Sequence, residues 1–254
     1  VADPEPSCNG LEVKILVYPY SHKSMKKEIL RWQTKQGPRK SYRVTDGNYN
    51  KKLIANPFVA EFDEGQNHET WKRMTGDSIG YPGWTLLYNI ALTCMNPDRF
   101  NIFIETGTNW AFSAIMIGQA IKDCPFAEGR CHTIEINETT HKIAERHIKR
   151  AGLEDYVTCE LGNSLEVLSK LLDGPVSFAF LDGKHTCEHV LAEFKLIFPF
   201  LKPESIVMFD NTHKTDHKPF VCHALKQIKK EYGGNLINFN FVSWGLPGIA
   251  AWQR

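Results

Sequence analysis

Two aspartates that close two apolar runs are the residues of this chain best placed to do chemistry. Phe180-Leu181-Asp182-Gly183-Lys184-His185 delivers a carboxylate at the end of a strand-like segment, with an imidazole three residues on. Met208-Phe209-Asp210-Asn211 ends the next such segment the same way. On adjacent strands, Asp182, Asp210 and Asn211 form an all-oxygen set with two carboxylates, the donor set of a hard cation such as Mg²⁺. Two bare carboxylates that close would raise each other's pKa, and a cation removes the repulsion. The plainer alternative has one Asp capping a helix and the other solvated. His185, with a reference pKa of ~6.5, is the candidate base. Lys184 competes, because a desolvated lysine can also take a proton. Asp210, His213 and His217 resemble a transition-metal set on paper, but the surrounding Asp216 and Pro219 read as a polar loop facing a substrate.

Three further turns carry polar residues suited to a nucleoside. Glu105-Thr106-Gly107-Thr108-Asn109-Trp110-Ala111-Phe112-Ser113 runs from a strand into a helix. A glycine there lets backbone approach a ligand, and the helix start offers free N–H donors. It is not the GxGxxG pattern of a dinucleotide site, and a plain tight turn fits as well. Ile134-Glu135-Ile136-Asn137 ends the next strand. Glu135 could accept hydrogen bonds from a ribose diol or simply face solvent. Gly162-Asn163-Ser164 follows a third strand, where Asn163 and Ser164 could bond an adenine edge, cap a helix, or both.

The elements that must position these residues alternate regularly from Phe100 onward. Strands are expected over Ile102–Glu105, His132–Glu135, Val157–Leu161, Val176–Leu181 and Ser205–Phe209, with closing strands over Ile237–Val242 and Gly248–Trp252. Helices are expected over Phe112–Ile121, Thr139–Ala151, Leu165–Leu172, Cys187–Leu201 and Pro219–Tyr232. This is the signature of an α/β fold, a mostly parallel seven-stranded sheet wound on both faces, whose ligands bind at the carboxyl ends of the strands. The first hundred residues read differently. Leu11–Tyr18 suits a short strand and Lys23–Lys35 is helix-compatible. Gln36–Asn56 is polar and turn-rich, and Trp84–Cys94 reads as an apolar helix. The division is a segment over 1–95 and a domain over 96–254.

Composition excludes several classes. With 42% hydrophobic and 23% charged residues among 254 and a net charge of +1, the chain has no basic field for nucleic acid and reads as a globular protein. No apolar run approaches the ~18–20 residues of a membrane span. Cys8, Cys94, Cys124, Cys131, Cys159, Cys187 and Cys222 form no CxxC pair, which favours reduced thiols. Val1–Gly10 lacks an initiator Met and signal-peptide features, so the sequence reads as processed or trimmed. A glycan on the sequon Asn137-Glu138-Thr139 would obstruct the site beside Glu135, which points to a cytoplasmic location.

On these residues the chain resembles the class I S-adenosylmethionine-dependent methyltransferases, and within them the metal-dependent catechol-type and macrocin-type (sugar) O-methyltransferases. The resemblance covers roughly Gly76 to Pro219. Glu105-Thr106-Gly107 through Ser113 looks like the methionine-binding motif, Glu135 the ribose acid, Asn163-Ser164 the adenine side, and Leu181-Asp182 with Asp210-Asn211 the metal pattern. It implies a Rossmann-like fold with an N-terminal lid over 1–95, of which Gly76–Trp84 is the nearest part. It implies S-adenosylmethionine held by Glu105, Gly107, Ser113, Glu135, Asn163, Ser164 and Asp182, and Mg²⁺ held by Asp182, Asp210 and Asn211. His185 would be the base, on a small-molecule or saccharide hydroxyl. His185 stands where sugar-type relatives have His, whereas Asn211 fits the catechol type. Ala111 replaces the family's second glycine. A hydroxylase-like relative and a non-catalytic scaffold of the same fold are the alternatives, and a homo-oligomer is left open. Trp84, Trp110, Trp244 and Tyr81 could line an acceptor pocket or pack the core.

Overall fold

The structure, a computed structural model, describes residues 29–34, 37–42, 54–62, 78–80, 83–212, 220–239 and 248–254. The expected strand over Leu11–Tyr18 lies outside them. Two short strands come first, β1 (Ile29–Thr34) and β2 (Gly37–Tyr42), antiparallel with Thr34 opposite Gly37. They correct the helix-compatible reading of Lys23–Lys35 at Ile29–Thr34 and the loop reading of Gln36–Asn56 at Gly37–Tyr42. Ile, Trp and Thr suit a pleated strand, while Gly37-Pro38 in the partner strand carries the residues of a turn.

Helix α1 (Pro57–Phe62) starts where Asn56 Oδ1 accepts the Phe58 N–H at 3.0 Å, with proline in the first helical position. Helix α2 (Gly83–Thr93) follows, one residue longer at its start than expected. The regular part then runs β3 (Asn101–Thr106), α3 (Phe112–Asp123), β4 (Gly129–Glu135), α4 (Glu138–Arg150), β5 (Val157–Leu161), α5 (Ser164–Leu171), β6 (Val176–Leu181), α6 (Cys187–Ile197), β7 (Leu201–Phe209), α7 (Val221–Tyr232), β8 (Asn235–Phe239) and β9 (Ile249–Gln253). The sheet order is β5-β4-β3-β6-β7-β9-β8. β3 to β7 are parallel, and β9 is antiparallel to both its neighbours. The seven-stranded, mostly parallel α/β sheet is therefore as the sequence reads it.

Alternation along the strands sorts the core into two layers. Phe103, Phe178 and Phe180 join Trp84, Leu87, Phe112 and Ile115 under α2 and α3. Ile104, Ala179 and Leu181 join Leu168, Phe194, Ile228 and Trp252 under α5, α6 and α7. β6 is buried along its whole length, as a central strand covered on both faces must be. Of the described N-terminal segment, α1 and α2 belong to the first layer. Phe58 stacks on Phe112 with ring centroids 6.0 Å apart, Trp84 stacks on it at 5.6 Å, and Asn56 Nδ2 donates to Gln119 Oε1 at 2.8 Å. No helix among the described residues is long and apolar enough to cross a membrane.

The chain leaves β3 for β4 and β5 on one side, then returns to β6 on the other. The strand order reverses between β3 and β6, so the carboxyl ends of those strands flank the crevice in which such sheets bind ligands.

Candidate active site

The turn after β3 is built against the turn after β6. Gly107 has φ +82°, and a Cβ on it would stand 2.3 Å from the Asp182 carbonyl oxygen and 2.9 Å from Gly183 Cα. Both the dihedral and the contact therefore require glycine. The backbone it approaches is that of Asp182 and Gly183, which brings the two halves of the site together. Asn109 and Ala111 also adopt positive φ, 49° and 68°. For Ala111 this costs roughly 1–2 kcal/mol, and three hydrogen bonds hold the loop in place. Asn109 N donates to Glu135 Oε2 at 2.8 Å, Ala111 N donates to the Thr108 carbonyl at 2.8 Å, and His147 Nδ1 donates to the Trp110 carbonyl at 2.9 Å. His147 is enclosed by Phe58, Phe62 and Phe112, and burial lowers its pKa. Through it α1 is coupled to this loop.

Glu135 accepts backbone N–H groups with both oxygens, the second from Asn137 at 2.9 Å, and so ties the ends of β3 and β4 together. Glu105 turns inward. It is fully buried, its Oε2 accepts from the Thr133 hydroxyl, and that hydroxyl lies 2.6 Å from Thr108 Oγ1. Burial pushes the Glu105 carboxyl up to about 7, against the pull of the Ser113 and Thr133 hydroxyls. Ser113 sits in the first turn of α3, 5% exposed. Asn163 caps α5 by accepting from Leu165 N at 3.0 Å. Ser164 Oγ donates to Glu193 Oε1 at 2.6 Å and lies 3.0 Å from His189 Nε2. Ile136 is 71% exposed immediately after Glu135, with Leu161 48% exposed on the neighbouring strand end.

Asp182, His185, Asp210 and Asn211 converge. His185 Nε2 lies 3.0 Å from Asp182 Oδ1, and ligand atoms of Asp182, His185 and Asp210 all fall within 4.8 Å of one another. Asn211, at φ 55°, donates from Nδ2 to Asp210 Oδ2 at 2.8 Å and sets that amide 3.1 and 3.2 Å from the two nitrogens of His185. The parallel register aligns these residues, since Asp182 N donates to the Thr106 carbonyl and Asp210 N to the Leu181 carbonyl. Burial, and then the Asp182 charge, drive the Asp210 carboxyl well above the usual range. Asp210 Oδ1 and Asn211 Oδ1 are buried acceptors with no hydrogen-bond partner. An oxygen-preferring cation fits such a set, because it satisfies orphaned acceptors and relieves paired carboxylates. Lys184 points outward, exposed. Trp84 is core and Trp110 packs edge-on to His147, while His213, His217, Tyr81 and Trp244 lie outside the described residues.

Residues 104–212, from β3 through the Asp210-Asn211 turn, match the family model described as a methyltransferase domain. Over 108 residues the chain is 26% identical to a catechol O-methyltransferase of Mycobacterium tuberculosis (strain ATCC 25618 / H37Rv), a match covering 42% of this chain and 46% of that enzyme. The chain thus aligns with about half the length of that curated relative. Among solved structures, an O-methyltransferase from Bacillus cereus in complex with S-adenosylhomocysteine superposes with a TM-score of 0.61 at 18% identity, covering 81% of this chain and 100% of that one. The O-methyltransferase TomG from Streptomyces achromogenes, in complex with S-adenosylmethionine, superposes with a TM-score of 0.55 at 18% identity, covering 83% of this chain and 92% of that one. These likenesses establish the fold. The acidic cluster of Asp182, His185 and Asp210 lies beside the glycine turn, since Gly107 packs on the backbone of Asp182.

Proposed function

We propose that this chain is an S-adenosylmethionine-dependent O-methyltransferase, aided by a divalent cation, acting on a hydroxyl of a small molecule or sugar. The observation that carries the reading is the pair of partnerless buried acceptors, Asp210 Oδ1 and Asn211 Oδ1, beside Asp182 and His185 and against the Gly107 turn. The cofactor supplies a methyl group on a sulfonium. A cation such as Mg²⁺, held by Asp182, Asp210 and Asn211, supplies the positive charge that favours an ionised acceptor hydroxyl.

The chain's own residues do the rest. Glu135 keeps lone pairs for a ribose diol while its backbone bonds hold it still. Ile136 offers the base an apolar face, and Ser164 meets the base edge. Gly107 and Ser113 line the methionine side, with Glu105 behind them bracing the loop through Thr133 and Thr108. His185, 3.0 Å from Asp182 Oδ1 and 3.2 Å from the Asn211 amide, supplies the basic imidazole nitrogen. It takes the acceptor's proton there, and Asp182 stabilises the imidazolium that results. Asp182 thereby serves the cation, the base and the cofactor-side turn. The segment over 1–95 acts as the lid that excludes water, with α1 coupled to the cofactor loop through His147.

The test combines binding with product mass. S-adenosylhomocysteine should bind in calorimetry, and catechol or sugar acceptors should gain one CH₂ in a Mg²⁺-dependent reaction that Asp182→Ala abolishes. Gain of an oxygen would point to hydroxylation, and binding without turnover to a scaffold. Undiminished methylation under chelator would reject the metal arrangement.

A further inference from the structure

His189 and Glu193 lie outside the machinery just described, and with Ser164 they form a cluster that buries an acid. Glu193 sits mid-helix on α6, fully buried, and its Oε2 has no hydrogen-bond partner. Burying a carboxylate costs several kcal/mol unless its surroundings compensate. Its Oε1 receives the Ser164 hydroxyl at 2.6 Å and lies 3.2 Å from His189 Nε2. The same oxygen stands 3.4 Å from where a Cβ of Gly183 would be, so Glu193 also backs the turn that carries Asp182.

The hydrogens in this cluster can be assigned from its geometry. Among the three side chains, the Ser164 hydroxyl donates to Glu193 and a carboxylate oxygen only accepts, so His189 Nε2, 3.0 Å from Ser164 Oγ and 3.2 Å from Glu193 Oε1, carries a hydrogen. The single hydroxyl hydrogen of Ser164 is committed to Glu193. All that Ser164 Oγ has left to offer a ligand is therefore a lone pair. A hydroxyl normally rotates to donate or accept as its partner demands; here the buried acid removes that choice.

We infer that Glu193, with His189, is a positioning residue that fixes Ser164 as an obligate hydrogen-bond acceptor, so that the β5–α5 turn selects a 6-amino purine over a 6-oxo purine. The inference rests on the S-adenosyl reading above and adds the origin of base selectivity. An adenine amino group donates to Ser164 Oγ. A 6-oxo base sets an acceptor against an acceptor, and a site built for one hydrogen-bonding partner rejects the analogue that lacks it.

Calorimetry with S-adenosylhomocysteine and its 6-oxo counterpart S-inosylhomocysteine tests this on the full chain. The wild type should prefer the adenine form by about 10- to 100-fold. In Glu193→Gln the amide can donate to Ser164 Oγ and free the hydroxyl hydrogen, so the preference should shrink to about threefold or less. Ser164→Ala should lose the preference as well, and Ser164→Thr should regain it. A purely structural role would weaken both ligands equally and leave their ratio intact. An unchanged ratio in Glu193→Gln or in Ser164→Ala would overturn the inference, as would equal binding by the wild type. Should Glu193→Gln not fold, the Ser164 pair decides alone. Failure of the wild type to bind either compound would instead remove the S-adenosyl reading.

Discussion

Replacing Glu105 by Gln should change how stability depends on pH, because this acid lies wholly inside the protein at the end of β3. Burial, with a smaller contribution from the Glu135 charge, raises its carboxyl from 4.5 to about 7, against the pull of the Ser113 and Thr133 hydroxyls. The folded state therefore holds the proton more tightly than the unfolded chain. The stability contributed by that proton is fully present below pH 4.5 and is lost as pH rises through about 7. At about 1.4 kcal/mol for each tenfold change in proton affinity, the loss amounts to about 3 kcal/mol. Gln keeps the shape and still accepts from Thr133, but it has no proton to lose. Other titrating groups act alike in both proteins, so the difference between the two pH profiles isolates Glu105. Urea unfolding at pH 4 and pH 9, with chelator present, should show the wild type losing about 3 kcal/mol relative to Glu105→Gln. In thermal scans this corresponds to roughly 6–12 °C for a chain of this size. Parallel profiles for the two proteins would refute the reasoning and put the Glu105 carboxyl in contact with solvent or a counter-charge.

Further outcomes follow from the same geometry. His185→Ala should lower turnover by about 100-fold or more with cofactor affinity nearly intact, measured by steady-state rates beside calorimetry; wild-type turnover would take His185 out of the base role. Gly107→Ala forces a methyl group against the Asp182 carbonyl, and S-adenosylhomocysteine affinity should fall by more than about 100-fold; an unchanged affinity would mean that the two turns are not in contact. Asn56→Ala removes the α1 cap and the bond to Gln119, and should cost about 1–2 kcal/mol at unchanged m-value in urea. A loss near zero would show that α1 is not docked on α3.

The five parallel strands were legible because each is a short apolar run ending in a polar turn, a local pattern that survives in one dimension. The polar residues at those ends could be grouped for the same reason. Parallel strands all point their carboxyl ends one way, so Asp182 and Asp210 had to share an edge once β6 and β7 were neighbours. The β1–β2 hairpin was missed because Ile29–Thr34 alone also satisfies a helical pattern, while Gly37-Pro38 at the start of its partner reads as a turn. His189 and Glu193 gave no signal at all. Their i, i+4 spacing is that of an ordinary exposed helix pair, and only the packing of α6 against α5 turns the pair inward onto Ser164.

Residue types and order alone determined that this chain builds an α/β sheet with acids at its strand ends. Hydrophobic periodicity and turn chemistry act over a few residues and need no knowledge of what lies across the fold. Tertiary structure decided which acid faces inward, as Glu105 does, and which hydroxyl is already engaged, as Ser164 is. It also decided which glycine is indispensable, as Gly107 is against Asp182. Those properties depend on burial and on atoms a few ångströms away, contributed by segments tens of residues distant in the chain.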